Sequence, residues 1–224
     1  FYKNIIRTGC KKKMKTDLAQ NTKNTINTHI QKKNKINGTN NIIMPSTNTA
    51  TIQVQKRDGR KELLDIDKIH FVVEEACEGL PGVAPSLIEM NANIQFYDGM
   101  STKDIQNVLV KSANDLISLE SPNYQYAAAR LLLYDVRKEA HGQYEYLPFL
   151  KLILRNIRLG VYDKGIIDKY TKTELKKFNT WIRRDRDLRF TYAGIRQVVD
   201  KYLVQDRSSG QLYETPQDMY MMIA

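Results

Sequence analysis

From Tyr124 to Val136 the chain is apolar nearly all the way round a helix, not along one stripe: Ala127-Ala128-Ala129 and Leu131-Leu132-Leu133-Tyr134 leave only Gln125, Arg130 and Asp135 as polar interruptions. A helix of that kind is stable only when other elements wrap it, so it is predicted to stand at the centre of the fold. Ser121-Pro122 reads as an N-cap followed by proline at the first helical position, and Gly142 as the end. The apolar run is far short of the roughly 18 residues that a membrane-spanning helix needs. The rest of the chain must therefore supply amphipathic elements to cover this one.

Those elements are visible in the periodicity. Ile52-Gln53-Val54-Gln55 alternates apolar with polar, Asp58-Gly59 is a hairpin turn, and Arg60 to Asp65 returns as a second strand. Asp67 is placed to cap a helix whose apolar residues Ile69, Val72, Val73, Ala76, Cys77 and Leu80 share one face, with Gly79 at its end. A shorter helix is predicted from Pro85 to about Ile94. Ser101 and Asp104 resemble a capping box before Ile105, Val108, Leu109, Ala113, Leu116 and Ile117. The expected fold class is mostly α with small β-hairpins: a hairpin covering a four-helix bundle, followed by a helical region. In that region helices are predicted at 146–159, closed by Gly160, and at 172–183, packed by Trp181 and Ile182. Residues 202–205 and 211–214 read as a second hairpin around Arg207-Ser208-Ser209-Gly210. Thr215-Pro216-Gln217-Asp218 opens a last helix, which the sequence ends within.

The charge is distributed unevenly. The chain carries +10, but residues 1–50 hold ten Lys or Arg against Asp17 alone, leaving residues 51–224 a net +1. A folded part so nearly neutral has little with which to neutralise a nucleic-acid backbone, which argues against nucleic acid as a partner. Residues 1–50, rich in Asn, Lys and Thr, lack the apolar period needed for a core and read as a disordered basic tail. No secretory leader opens the sequence, and Cys10 and Cys77 are too far apart to suggest a disulfide framework or a zinc site, so a soluble protein in a reducing cytoplasm is expected, without a membrane or metal site. Cys77 lies on an apolar helix face and reads as a buried thiol, and His70 and His141 as surface or helix-end residues.

One cluster suggests binding. Lys56, Arg57, Arg60 and Lys61 crowd a glycine turn. Lys68 stands in a first helical turn, where the macrodipole disfavours a cation unless an anion joins it, and Arg137 and Lys138 end the central helix. A triphosphate would satisfy cations gathered in this way, and a solvated basic face is the open alternative. Thr102 and Gln106, one helical turn apart, could offer a hydroxyl and an amide to a base or ribose.

The blocks Val54-Gln-Lys-Arg-Asp-Gly-Arg-Lys-Glu62, Asp67-Lys68-Ile69, Ile94-Gln-Phe-Tyr-Asp-Gly-Met100 and Pro122-Asn-Tyr-Gln-Tyr-Ala-Ala-Ala-Arg130 resemble, in order and spacing, the ATP-cone of the ribonucleotide reductase large subunit. The resemblance continues through Lys138-Glu-Ala-His-Gly-Gln-Tyr-Glu145, Tyr202-Leu-Val-Gln-Asp206 and Tyr213-Glu-Thr-Pro216. It implies a basic tail at 1–50, an ATP-cone at 51–142 and, at 143–224, the start of the large subunit's N-terminal helical domain leading to a catalytic α/β barrel. It also implies an allosteric site where ATP, bound with Mg²⁺, permits turnover and dATP stops it by changing subunit assembly. The family's contacts fall on Val54, Lys56, Arg57, Glu62, Lys68, Thr102 and Lys138. Asp65 and Gln106 stand where asparagine and histidine are usual, which bears on base or sugar selectivity. The implied enzyme reduces ribonucleoside diphosphates by a radical route, is thioredoxin-dependent, assembles as a homo-oligomer and takes its radical from a small (beta) subunit. The active-site cysteines are not in these residues, so the chain alone is expected to be inactive. Two other classes compete: an ATP-cone repressor, which would carry a four-cysteine zinc ribbon where only Cys10 is found, and a nucleic-acid-binding regulatory module using the tail.

Overall fold

A computed structural model describes residues 52–224, so the readings of a disordered tail, of Cys10 and of the order beginning at Thr51 lie outside the described residues. The chain opens with β1 (Gln53–Gln55) and β2 (Lys61–Leu63), paired antiparallel with Val54 opposite Glu62. Gly59 takes φ 86°, the left-handed conformation that a side chain would strain, which lets the Lys56 carbonyl accept from the Gly59 amide at 2.9 Å. The second strand is shorter than the 60–65 expected. A third strand, β3 (Met100–Ser101), lies parallel to β1 on its other side, giving the order β2-β1-β3. Two residues carry no readable alternation, and what places them is distant: the Gln53 amide donates to Asp98 at 2.7 Å and the Gly99 amide to the Gln53 carbonyl at 2.8 Å.

Four helices follow the expected bundle: α1 (Ile66–Cys77), α2 (Pro85–Asn93), α3 (Thr102–Asp115) and α4 (Tyr124–His141). Helix α4 is central, as its all-round apolarity requires, and packs against α1 and α3. Two starts differ from expectation. Asp65, not Asp67, caps α1, its carboxylate accepting from the Lys68 amide at 3.2 Å. Helix α4 begins after Asn123 and not after Ser121. The Asn123 side chain is drawn off to donate to the Pro81 carbonyl at 2.8 Å, and the chain passes Pro122 in tight i to i+3 bonds before the helix settles. Its other end behaves as read, with Gly142 left-handed at φ 72°.

Beyond Gly142 come α5 (Phe149–Arg158), α6 (Gly165–Lys169), α7 (Lys172–Phe178), a 3₁₀ helix (Arg184–Arg189), α8 (Tyr192–Lys201) and α9 (Pro216–Ile223). Helix α8 lays Ile195, Val198 and Val199 into the same core as the bundle, against α4. A second, smaller core gathers Phe149, Ile153, Tyr162 and Leu175. The helix expected over 172–183 stops at Phe178, so Trp181 falls in the turn that follows. There it is 55% exposed and rests against Phe178, with ring centroids 5.3 Å apart. The second hairpin is reduced to the single bridge Gln205 to Leu212, because the Tyr202 and Leu203 amides donate back to the Val198 carbonyl of α8 at 3.0 and 3.1 Å. His70 is exposed beside Glu74 and Glu89, whereas His141 ends α4 and is buried. Cys77 is buried, and burial pushes its thiol up to about 11, as suits an inert core residue.

Charged residues that look solvated in sequence are buried where the 3₁₀ helix meets α9. Asp218 accepts from Arg184 at 2.6 Å, and from the Thr215 hydroxyl at 2.6 Å, while the His141 Nε2 lies 3.2 Å away. Burial alone would raise its carboxyl, but His141 and Arg184 outweigh that and hold it well below the usual carboxylate range. Asp187 lies close by with, among the described residues, only Gln217 Nε2 donating to its carboxylate, at 2.9 Å, and burial pushes it up to about 6. The folded protein thus holds the Asp187 proton more tightly than the unfolded chain. Its contribution to stability is full below the ordinary carboxylate range and is lost as pH rises through about 6. Asp187→Asn, which keeps the Gln217 bond, is expected to raise the melting temperature at pH 7 but not at pH 4. Equal melting curves at both pH values would refute the assignment.

Candidate functional site

The hairpin, the start of α1, one face of α3 and the end of α4 enclose a cleft of about 430 Å³. All nine residues singled out in the sequence line it: Val54, Lys56, Arg57, Glu62, Asp65, Lys68, Thr102, Gln106 and Lys138. Each arrives for a local reason. Val54 and Lys56 come from β1 and its exit into the turn, Glu62 from the strand opposite, Asp65 and Lys68 from the cap and first turn of α1, Thr102 and Gln106 from successive turns of α3, and Lys138 from the last turn of α4. Leu64, Ile69, Val72, Ile105 and Leu109 add an apolar stretch of wall. The cleft therefore has an apolar part suited to a flat ring and a charged rim suited to anions.

The rim is a set of held cations. Lys56 Nζ lies 2.7 Å from Glu62, Arg57 donates to Asp135 of α4, and Lys68 Nζ lies 3.0 Å from Asp65. Asp65 thus resolves the oddity of a lysine at a helix start: the cap residue supplies the anion, and Lys68 in turn holds the Asp65 carboxyl below its ordinary value. Lys138 makes no ion pair among the described residues. Burial, with Arg57 and Lys56 nearby, pushes its ammonium below the usual lysine range, although Asp135 pulls the other way. A cation so placed favours an incoming anion.

Other residues are placed differently from the sequence reading. Arg60 is turned outward onto Asp58 at 2.7 Å, and Lys61 is exposed on β2. Arg137 faces the opposite side of α4, ringed by Tyr134, Tyr144 and Tyr146 at 5.0, 4.1 and 5.0 Å. Gln106 is buried and its amide nitrogen donates to the Leu131 carbonyl at 2.8 Å, which leaves its oxygen and one N–H for a ligand. The sequence reading missed Asp58, Gly142, Gln143 and Tyr144, which also line the cleft. Gly142 was the signal: a left-handed residue ending α4 turns the next two back across the cleft mouth.

Residues 52–139 match the family described as ATP cone domain, and residues 188–224 match the family described as Ribonucleotide reductase, all-alpha domain. The chain carries an ATP-cone followed by ribonucleotide reductase all-alpha sequence. It is 44% identical over 174 residues to the Ribonucleoside-diphosphate reductase 1 subunit alpha of Salmonella typhimurium, an alignment covering 78% of this chain and 23% of that protein. With the corresponding subunit of Escherichia coli it shares 44% over 171 residues, 76% of this chain and 22% of the relative. With the Ribonucleoside-diphosphate reductase subunit alpha of Enterobacteria phage T4 it shares 42% over 174 residues, 77% of this chain and 23% of the relative. The chain spans less than a quarter of the length of these relatives. The cone covers the hairpin and the four-helix bundle up to the last turn of α4, and so contains every one of the nine cleft residues. Among the described residues no helix is long and apolar enough to cross a membrane.

Proposed function

We propose that the cleft is an allosteric site for ATP or dATP, and that the chain is the nucleotide-sensing portion of a class I ribonucleoside-diphosphate reductase large subunit. The observation that carries this reading is the convergence of nine residues, from three strand and turn segments and three helices, on one cleft with an apolar wall and four cations. A purely solvated basic face would not half-bury Lys138 or close Arg57 against a carboxylate from the central helix. Among the described residues no group of three or more His, Cys, Asp or Glu side chains gathers to hold a metal, so Mg²⁺ would enter on the phosphates of the nucleotide. The partners that follow are the remainder of the large subunit, a radical-supplying small subunit and further copies of the chain, in the cytoplasm. Reduction of ribonucleoside diphosphates would be the work of that assembly. The 224 residues contain two cysteines, of which Cys77 is buried and inert, and are expected to show no turnover by themselves.

Titration calorimetry of the 224-residue chain with ATP and with dATP, each with Mg²⁺, tests the reading. Saturable one-site binding of both is expected, with little heat from CTP or from duplex DNA. A folded chain that takes up neither adenine nucleotide would overturn it.

A further inference from the structure

Asp135 is the acid that interrupts the apolar helix α4, and its carboxylate is only 10% exposed. It accepts from Nη2 of Arg57, leaving the other guanidinium hydrogens directed elsewhere. The charged groups facing it are Arg57 from the hairpin turn, Lys103 from α3, and Glu139 and Lys138 from its own helix. Burial raises its carboxyl, and Arg57 and Lys103 pull against that rise. The other two carboxylates on cleft cations differ in kind. Glu62 is 41% exposed and can swing into water when a phosphate takes its lysine, and Asp65, 40% exposed, stays as the cap of α1 with its other oxygen open to water. Asp135, rooted in the central helix and nearly closed from water, has no such exit.

We propose that Asp135 is a fixed counter-anion of the cleft, a specificity-determining residue that sets how strongly the site weighs phosphate charge. The inference rests on reading the cleft as a nucleotide site. A unit negative charge in a poorly solvated place offsets part of the attraction of Arg57 and Lys138, and the offset grows with the charge of the ligand. A triphosphate feels it most and a monophosphate least. Without this carboxylate the cleft would hold polyphosphates more tightly and discriminate more sharply by phosphate number.

The experiment uses the whole 224-residue chain, with ATP, AMP and inorganic tripolyphosphate titrated into wild type, Asp135→Asn and Asp135→Ser at fixed ionic strength. Asparagine can still accept from Arg57, and the smaller serine serves if the first variant folds poorly. The neutral variants are expected to bind ATP and tripolyphosphate roughly threefold to tenfold more tightly, and AMP by less than about twofold. Unchanged or weaker ATP binding by a variant that melts like wild type would overturn the proposal and leave Asp135 as a support for Arg57. An equal gain for AMP and ATP would also overturn it, since charge would then not be what is weighed. If wild type binds neither ATP nor tripolyphosphate, the nucleotide reading falls and this inference with it, whereas binding by wild type with no gain in the variants removes this inference alone.

Discussion

Lys138→Ala is expected to weaken ATP and dATP binding tenfold to a hundredfold, by about 1.5–3 kcal/mol, the range for losing a charge-assisted hydrogen bond in a partly desolvated place. Lys138 is the cleft cation with no ion pair among the described residues, and burial beside Arg57 already makes its charge costly, so an arriving phosphate relieves more there than anywhere else on the rim. Lys56→Ala is expected to follow it closely, since Lys56 exchanges Glu62 for phosphate without leaving the cleft. Lys68→Ala should cost less, because Lys68 is largely exposed and already held by its own cap residue. Lys61→Ala, on the exposed strand β2, should leave affinity within about twofold. Calorimetry on the four variants, each checked for unchanged helix content, decides the matter. Four equal losses would mean that a diffuse basic surface, not this cleft, attracts the nucleotide.

The second large effect concerns stability. Asp218→Ala should destabilise the fold by about 3–5 kcal/mol, because removing one member of a buried ion pair leaves Arg184 without its counter-charge and the buried His141 ring without its neighbour in a closed interior. The pH dependence follows from the depressed carboxyl of Asp218. Its contribution is present above the ordinary carboxylate value and is lost only as pH falls through its lower folded value. Urea unfolding from pH 7 down to pH 3 should show the gap between wild type and variant widest at neutrality and narrowing in acid. A gap below about 1 kcal/mol at pH 7 would show that solvent, and not the triad, satisfies Arg184.

The hairpin, the bundle and the place of α4 were legible because each rests on a local pattern: alternation around Asp58-Gly59, a helical stripe from Ile69 to Cys77, an apolar girdle from Tyr124 to Val136. The cleft was legible by a different route. Composition and spacing gathered the cations and the pair Thr102 and Gln106 but left a solvated face open, and it was the resemblance that added Val54, Glu62 and Asp65 to them. What stayed hidden depends on pairings distant in sequence. Arg57 meets Asp135 across 78 positions and Arg184 meets Asp218 across 34, and although the apolar run around Asp135 marks it as buried, nothing near either acid names its partner. The same holds for Trp181, whose helix is followed by Arg184 and Asp187 turning inward to Thr215, Asp218 and Gln217 in place of a continued stripe.

Helix α4 is a party wall. Ile69, Val73 and Leu109 lean on it from the cone, Ile195 and Val199 from the all-alpha side, and both sets belong to one continuous core. A chain cut at Gly142 would strip the plaster from one side of that wall, baring apolar surface that α8 now covers. A weak or absent nucleotide signal from such a piece would then report a slumped wall, not an empty room. For the same reason neither tenant can shift α4 privately. Close-packed interiors transmit displacement instead of absorbing it, so a ligand that draws Lys138 inward at one end of the helix is felt by every residue that α8 has lodged against the other face.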